Sequence, residues 1–284
     1  MPSLTALLGT SGPIIMGILN VTPDSFSDGG AYLDARSALD HALQMIADGA
    51  EIIDIGGEST RPAGQTYGAG ASKVPLEEEL RRVLPVIHEL RSNHDNVLIS
   101  VDTQRSAIAN AAMQSGADLI NDVSGGTADP EMFATAARHK APIVLMHGHG
   151  PRFRKTKTED YAYADVVSEV RSYLEERILL AHSAGIETVL ADVGIGFAKG
   201  YEDNLKLLKH HDAFGSLDVP LLLGVSRKST IGRAMGNNPW PKQRVTGSIA
   251  AACYGMLHGA KIIRTHDVKE TTQALSVIRE ILDR

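Results

Sequence analysis

Short apolar runs rich in β-branched residues alternate with longer segments of helical spacing along the chain. The runs are Ile14–Leu19, Ile52–Ile55, Val97–Val101, Leu119–Asn121, Ile143–Met146, Val189–Ala191, Val219–Val225 and Ile262–Ile263. Because no hairpin turn signals join them, the runs predict a parallel sheet covered by helices. Eight candidate strands favour closure into a single α/β domain over residues 1–284, a (β/α)₈ TIM barrel.

The segments between the runs carry their apolar residues on one helical face. In the first long segment these residues are Leu39, Ala42, Leu43 and Ile46. Gly49 predicts the end of this helix, and Pro75 predicts the start of the next, whose first turn is rich in glutamate. An open doubly wound sheet is the structural alternative. Its dinucleotide-binding form is disfavoured because no Gly-x-Gly-x-x-Gly motif follows the first run.

The composition is compatible with a barrel fold and restricts the kinds of partner that the protein could bind. With 284 residues, of which 43% are hydrophobic, the chain is long enough to bury a full core. A net charge of -6 argues against a nucleic-acid partner, since the main attraction to phosphate would be missing. The single cysteine, Cys253, is expected to pack within a helix over Gly247–Gly259 and suits a reducing compartment. We expect a cytoplasmic protein with no membrane partner.

Polar residues follow nearly every apolar run, most of them directly. They are Asn20, Asp54, Asp102, Asn121, His147, Asp192, Lys228, Arg264 and His266. In a barrel these positions lie at the carboxyl ends of the strands, the face where catalytic groups collect. A single polar residue there is more often a cap or a turn former. Its recurrence after successive strands predicts a functional site.

Barrel closure places the first strand beside the eighth, and this predicts an anion site. Asn20 would then lie near Arg264 and His266, which are two residues apart and share one face of an extended strand. Arginine binds phosphate with two hydrogen bonds, and histidine adds another donor. Taken alone, His266 is equally well interpreted as a turn residue.

A second group predicts recognition of a flat heterocycle. It consists of Asp102, Asn121, Asp192 and Lys228. Carboxylates accept hydrogen bonds from ring N–H and amino groups, whereas lysine donates to ring nitrogen or carbonyl oxygen. An internal layer of salt bridges is the alternative interpretation. A metal site at His147 and His149 is disfavoured because these residues lie in a glycine-rich loop without nearby acidic or cysteine ligands, and one at His210 and His211 is disfavoured because this pair ends a predicted helix.

Long motifs give the chain a resemblance to the dihydropteroate synthase family along nearly its whole length. Residues 17–30 read GILNVTPDSFSDGG, residues 54–62 read DIGGESTRP, and residues 224–229 read GVSRKS. SVDT at 100–103, NDVSGG at 121–126, DVGIGFAK at 192–199 and RTHD at 264–267 follow the family order. The first motif is highly specific by itself.

The resemblance implies condensation of 7,8-dihydropterin-6-ylmethyl diphosphate with 4-aminobenzoate in a homodimeric enzyme. It assigns the pterin to Asp102, Asn121, Asp192 and Lys228, and the diphosphate to Arg264 and His266. It assigns Mg²⁺ to Asn20, and the border of the aminobenzoate site to Phe197, Lys228 and Ser229. Thr60 is expected to bind substrate from the second mobile loop, which it shares with Arg61. Asp28 and Arg61, in two loops, are expected to act in catalysis with Lys228. These assignments agree with the two groups that the strand ends predict.

The chain departs from the usual family pattern at a few positions. Val193 stands where proline is usual, Gly148 where methionine is frequent, and Gly200 where threonine or asparagine is common. The second loop is long, with GQTYGAGASK at 64–73. Two alternative functions remain: a pterin-binding methyltransferase barrel, and an inactive paralogue that only binds pterin.

Overall fold

A computed structural model describes residues 3–21, 31–58, 74–148, 161–238 and 240–284, with the side chains of 31–35 excepted. Eight parallel strands close into a barrel in sequence order, so that β8 pairs with β1. The strands are β1 Ile14–Asn20, β2 Ile52–Gly56, β3 Leu98–Asp102, β4 Leu119–Asp122, β5 Ile143–Met146, β6 Val189–Asp192, β7 Leu221–Gly224 and β8 Ala260–Thr265. Each predicted strand is confirmed. Most continue through the polar residue that follows the apolar run.

Helices separate successive strands and cover the outside of the barrel. They are α1 Leu4–Leu8, α2 Ala31–Ala47, α3 Leu76–Asn93, α4 Ser106–Gln114, α5 Met132–His139, α6 Val166–Ser183, α7 Tyr201–Lys209, α8 Ser229–Ala234, α9 Val245–Leu257 and α10 Val268–Leu282. Gly49 follows α2 with φ +105°, and Pro75 caps α3, as predicted. Cys253 is unpaired and half-buried in α9. In the part of the chain that the structure describes, no helix combines the length and apolarity that membrane crossing requires.

The barrel interior changes from apolar to polar along its axis. Its lower layer consists of Ile14, Met16, Ile52, Leu98, Leu119, Val144, Leu190, Leu222 and Ile262, and α1 closes this end with Leu4. Side chains on a strand alternate between faces, so the residue two positions later also points inward. At that step β2, β3, β4, β6 and β8 carry polar residues instead. The polar side chains are therefore stacked on the apolar layer, at the carboxyl ends of the strands.

Candidate active site

Asp54 is the centre of the polar layer, although the sequence analysis placed it only among the polar residues at the strand ends and assigned it to neither binding group. It is fully buried, and its Oδ2 accepts hydrogen bonds from Asn121 Nδ2 at 2.9 Å and Arg264 Nε at 2.6 Å. Arg264 Nη2 donates to Asp102 Oδ2 at 2.8 Å. One guanidinium therefore joins two carboxylates from adjacent strands. Asp54 lies two residues after Ile52 and therefore points to the same face of the strand, which is the sequence feature that could have indicated its role.

Several buried polar atoms of this layer have no hydrogen-bond partner among the described residues. They are Asp54 Oδ1, Asp102 Oδ1 and Ser100 Oγ. Buried polar groups in folded proteins are nearly always satisfied, because an unmade hydrogen bond there is costly. The salt-bridge interpretation therefore accounts for only part of the layer. The remaining carboxylate oxygens are acceptors that suit a ligand with N–H groups.

Burial and charge act against each other in this layer. Burial raises the pKa of Asp102, and the Arg264 guanidinium opposes the rise whereas the Asp54 carboxylate adds to it. For Arg264, burial lowers the pKa, but the attraction of Asp54 and Asp102 outweighs it and the net change is upward. The arginine is thus held firmly in its charged state.

Asp192 and Lys228 form the opposite side of the layer. Asp192 Oδ1 accepts the Gly194 N–H at 2.7 Å, so the carboxylate is fixed even though Val193 replaces the usual proline. Lys228 Nζ donates to Ile195 O and lies 4.8 Å from the centre of the Phe197 ring. Burial lowers the pKa of Lys228 to about 8, with Asp192 opposing the shift and Arg264 adding to it.

The predicted anion site is divided between two depths. Asn20 Nδ2 lies 3.5 Å from His266 Nε2, so these two residues meet as expected. Arg264 pairs instead with Met16, deeper along β1, because strands in a closed barrel are staggered. Its Nη1 has no hydrogen bond to any described residue, whereas Nε and Nη2 are used by the carboxylates. Arg264 therefore belongs to the carboxylate layer, with Nη1 as its remaining donor.

Ser226 fixes the orientation of the His266 ring. Its Oγ lies 3.0 Å from His266 Nδ1 and also accepts the backbone N–H of His266 at 3.1 Å. These two contacts leave Nε2 directed at the end of β1. Sequence reasoning did not assign a role to Ser226.

A left-handed turn at Arg227 separates Ser226 from Lys228. Arg227 has φ +58°, a conformation that is costly for a residue with a side chain. Ser248 Oγ accepts its N–H at 2.8 Å, and its guanidinium pairs with Asp267. The turn is thus held from several sides. It directs Ser226 towards His266 and Lys228 towards Phe197.

Arg105 joins the two stems of the second loop. Its Nη2 donates to Glu58 Oε2 at 3.0 Å and to Val74 O at 2.7 Å, the described residues that flank 59–73. Its Nη1 lies 3.1 Å from the buried Glu79, which also accepts from the Thr103 hydroxyl at 2.9 Å. Glu79, expected only as a first-turn glutamate, is therefore part of a loop anchor.

Other assigned residues are placed less completely. Ser229 is exposed as the first residue of α8, next to Lys228. Asp28, Thr60 and Arg61, the catalytic and substrate-binding assignments in the two loops, lie outside the described residues. So does His149. The described ranges contain no group of three or more His, Cys, Asp or Glu side chains that could hold a metal ion.

Comparison with known proteins agrees with this geometry. The family model described as pterin binding enzyme matches residues 16–266. A dihydropteroate synthase from a Synechocystis species is 46% identical over 93% of this chain and 88% of its own length. The Bacillus subtilis dihydropteroate synthase is 43% identical over 95% of this chain and 89% of its own.

Solved structures show the same similarity in three dimensions. Xanthomonas albilineans dihydropteroate synthase with 4-aminobenzoic acid superposes with a TM-score of 0.86 at 43% identity, covering 96% of this chain and 94% of that one. The same enzyme in complex with 7,8-dihydropteroate gives a TM-score of 0.82 at 40% identity, with the same coverage. The chain belongs to the dihydropteroate synthase family of pterin-binding enzymes, which are transferases of folate biosynthesis.

Proposed function

We propose that this chain condenses (7,8-dihydropterin-6-yl)methyl diphosphate with 4-aminobenzoate to give 7,8-dihydropteroate and pyrophosphate. The observation that carries the proposal is the buried polar layer, in which carboxylate oxygens that have no partner among the described residues lie beside a fixed guanidinium. Such a layer matches the edge of a flat heterocycle that carries N–H donors and ring acceptors. The family membership supplies the reaction.

Asp102, Asn121, Asp192 and Lys228 bind the pterin in this proposal, with Asp54 as a further member of the set. The carboxylates accept from the ring N–H and amino groups, and Lys228 donates to a ring acceptor. A ligand that lacks these groups would leave several buried atoms unpaired, which is a strong basis for selectivity.

The diphosphate is bound at the end of β1 and β8 in this proposal. His266 Nε2, which lies 3.5 Å from Asn20 Nδ2, and Arg264 Nη1 are the donors. Mg²⁺ fits this position through the Asn20 carboxamide oxygen, because this ion accepts few protein ligands and keeps water and substrate phosphates. When bound, it neutralises negative charge on the leaving pyrophosphate.

The chemical step exchanges one bond for another. The amine nitrogen of 4-aminobenzoate attacks the methylene carbon, the bond from that carbon to the diphosphate oxygen breaks with release of pyrophosphate, and the amine nitrogen loses a proton to water. The charge that develops on pyrophosphate is stabilised by Arg264 and His266. Phe197, Ser229 and Lys228 border the attacking amine's ring. Asp28 and Arg61 complete the site from the two loops, as the resemblance implies.

A cytoplasmic homodimer is part of the same proposal. Exposed apolar side chains are concentrated on α9 and α10. They are Tyr254, Leu257, Val277, Ile281 and Leu282. Exposed apolar groups grouped in this way are typical of an interface between subunits.

The function is tested by pyrophosphate release from the pterin diphosphate, with and without 4-aminobenzoate. We expect continuous release that requires both 4-aminobenzoate and Mg²⁺, with 7,8-dihydropteroate identified by mass. Pterin binding without release would indicate the inactive paralogue. Transfer of a methyl group from a methylated pterin would indicate the methyltransferase alternative.

The pKa of Lys228 predicts a pH limit on the reaction. The charged ammonium is the better donor to the pterin ring, and it is lost as pH rises through about 8. We therefore expect kcat/KM for the pterin diphosphate, which reports the free enzyme, to fall above that pH. In Lys228→Arg the fall should move to higher pH, since guanidinium stays charged. An unchanged profile in Lys228→Arg would mean that another group titrates.

Replacing His266 separates diphosphate binding from pterin binding. We expect His266→Ala to weaken binding of the pterin diphosphate by about tenfold or more, as for loss of one charge-assisted hydrogen bond. Binding of the corresponding pterin alcohol should change little. Calorimetry with both ligands decides, and equal losses would show that His266 acts only in holding the β8 end.

A further inference from the structure

Lys199 is a buried lysine in the loop between β6 and α7 with no assigned role. Its side chain is 2% exposed, and its Nζ donates to three backbone carbonyls: His147 O at 3.1 Å, Gly194 O at 3.0 Å and Phe197 O at 2.9 Å. A lysine ammonium has three protons to donate, and all three are used here. Lysine is almost never buried without a specific partner, so this arrangement has a structural purpose.

The loops after β5 and β6 meet through their backbones at this lysine. Gly194 has φ +69°, and a Cβ there would lie 1.8 Å from His147 O. Gly148 has φ +110°, and a Cβ there would lie 2.7 Å from Phe197 O. The close approach brings carbonyl oxygens together, and their like partial charges repel. The Lys199 ammonium offsets this repulsion.

Burial and hydrogen bonding act in opposite directions on the charge of Lys199. Burial lowers its pKa well below the usual value, the Asp192 and Asp203 carboxylates oppose this shift, and Lys228 adds to it. The geometry favours the ammonium form, because three carbonyl oxygens lie within hydrogen-bond distance of Nζ and only the charged amine has three N–H donors.

The loop that Lys199 ties down carries two groups that hold Lys228. Ile195 O accepts from Lys228 Nζ, and the Phe197 ring lies beneath the same ammonium. Both groups lie between Gly194 and Lys199, inside the segment that the lysine closes. Tyr163 Oη adds a hydrogen bond to Ala198 O at 2.8 Å. Loss of the Lys199 contacts would therefore loosen the segment that carries both supports of Lys228, although Tyr163 and the Asn204 Oδ1 contact with the Gly196 N–H at 2.6 Å would remain.

We propose that Lys199 is a positioning residue: its buried ammonium holds the loop 193–199 in the form in which Ile195 O and Phe197 place Lys228 against the aminobenzoate side of the site. Lys199 itself contacts neither substrate. The expected effect on KM for 4-aminobenzoate rests on the proposed function, whereas the role of Lys199 in holding the loop does not. The Asp54, Asp102 and Asn121 side of the pterin site lies on other strands and does not depend on it.

The first test replaces Lys199 with methionine, which keeps the length of the side chain and removes the donors. We expect KM for 4-aminobenzoate to rise about tenfold or more, with a smaller effect on the affinity for the pterin alcohol. Lys261→Met is the matched control, because Lys261 also donates to backbone carbonyls, those of Thr10 and Gly12, at the opposite end of the barrel. It should leave both constants unchanged.

A second test restores the ammonium from solution. Lys199→Ala removes atoms that correspond to propylamine, so propylammonium should lower KM for 4-aminobenzoate back towards the wild-type value. Trimethylpropylammonium carries the same charge but has no N–H donor, and it should not rescue. Rescue by both cations, or by neither, contradicts the assignment of three hydrogen bonds.

Hydrogen exchange distinguishes failure of this inference from failure of the proposed function. Amides of 194–198 should exchange faster in Lys199→Met and not in Lys261→Met, whether or not the wild type turns over. Unchanged exchange overturns the loop role. Faster exchange with an unchanged KM for 4-aminobenzoate overturns the positioning role, and a wild type without turnover overturns the proposed function instead.

Discussion

Asp192→Asn is expected to lower kcat/KM by about 10⁴-fold, because a site built on hydrogen bonds to a substrate N–H rejects the wrong partner strongly. Asp192 Oδ1 is already used by the Gly194 N–H at 2.7 Å. The asparagine oxygen would keep that bond, and its amide nitrogen would then point a donor at the pterin. The substitution also removes the negative charge that favours the ammonium form of Lys228.

The loss should appear in pterin binding as well as in turnover. Calorimetry with the pterin alcohol and steady-state rates with the diphosphate measure the two effects separately. Asp212→Asn is a suitable control, since Asp212 is an exposed aspartate distant in sequence from the strand ends. Turnover of Asp192→Asn within a few-fold of wild type would contradict the pterin assignment.

Asp54→Asn is expected to reduce both stability and activity, because it breaks the ion pair at the centre of the layer. Arg264 would keep Asp102 as its carboxylate partner but lose the charge of Asp54, and a neutral amide oxygen would have to accept from both Arg264 and Asn121. Removing one partner of a buried ion pair typically costs about 3–5 kcal/mol of unfolding free energy. Denaturant unfolding of the purified variant measures this cost, and pterin affinity should fall with it.

A double-mutant cycle separates the ion pair from a general effect of the substitution. Asp54→Asn and Arg264→Gln, singly and together, should show a coupling energy on the order of 1–3 kcal/mol. Additive changes in unfolding free energy would mean that the contact at 2.6 Å contributes nothing. The control is the exposed ion pair between Glu280, on α10, and Arg284, just after α10, which should show little coupling.

The strands and the position of the site followed from the alternation of apolar runs and polar residues. Asp102, Asn121 and Asp192 were identified because each ends a run, and a parallel barrel brings such ends together. Asp54 was included among these polar residues but was assigned to neither binding group, because Ile55 continues its run and conceals the change to a polar interior. The two-residue spacing from Ile52 to Asp54 is present in the sequence, but only the closed barrel shows that both side chains point into its interior.

The stagger of the barrel explains a second difference. Adjacency of β1 and β8 was predicted, but the sequence contains no register, and the register decides that Arg264 lies beside Met16. Lys199 and Glu79 were also not foreseen. A charged residue is normally expected in solvent, and its burial depends on acceptors or donors from distant segments that sequence spacing does not reveal.

A crystal structure of the chain with 7,8-dihydropteroate tests the central claim most directly. The pterin ring should lie on the apolar floor of the barrel mouth, with its N–H groups within hydrogen-bond distance of Asp192 and Asp102 and a ring acceptor facing Lys228. The aminobenzoate part should extend past Phe197 towards Ser229. A pterin bound outside the barrel, with Asp54, Asp102 and Arg264 still contacting only one another and not the ligand, would contradict the claim that this layer is the substrate site.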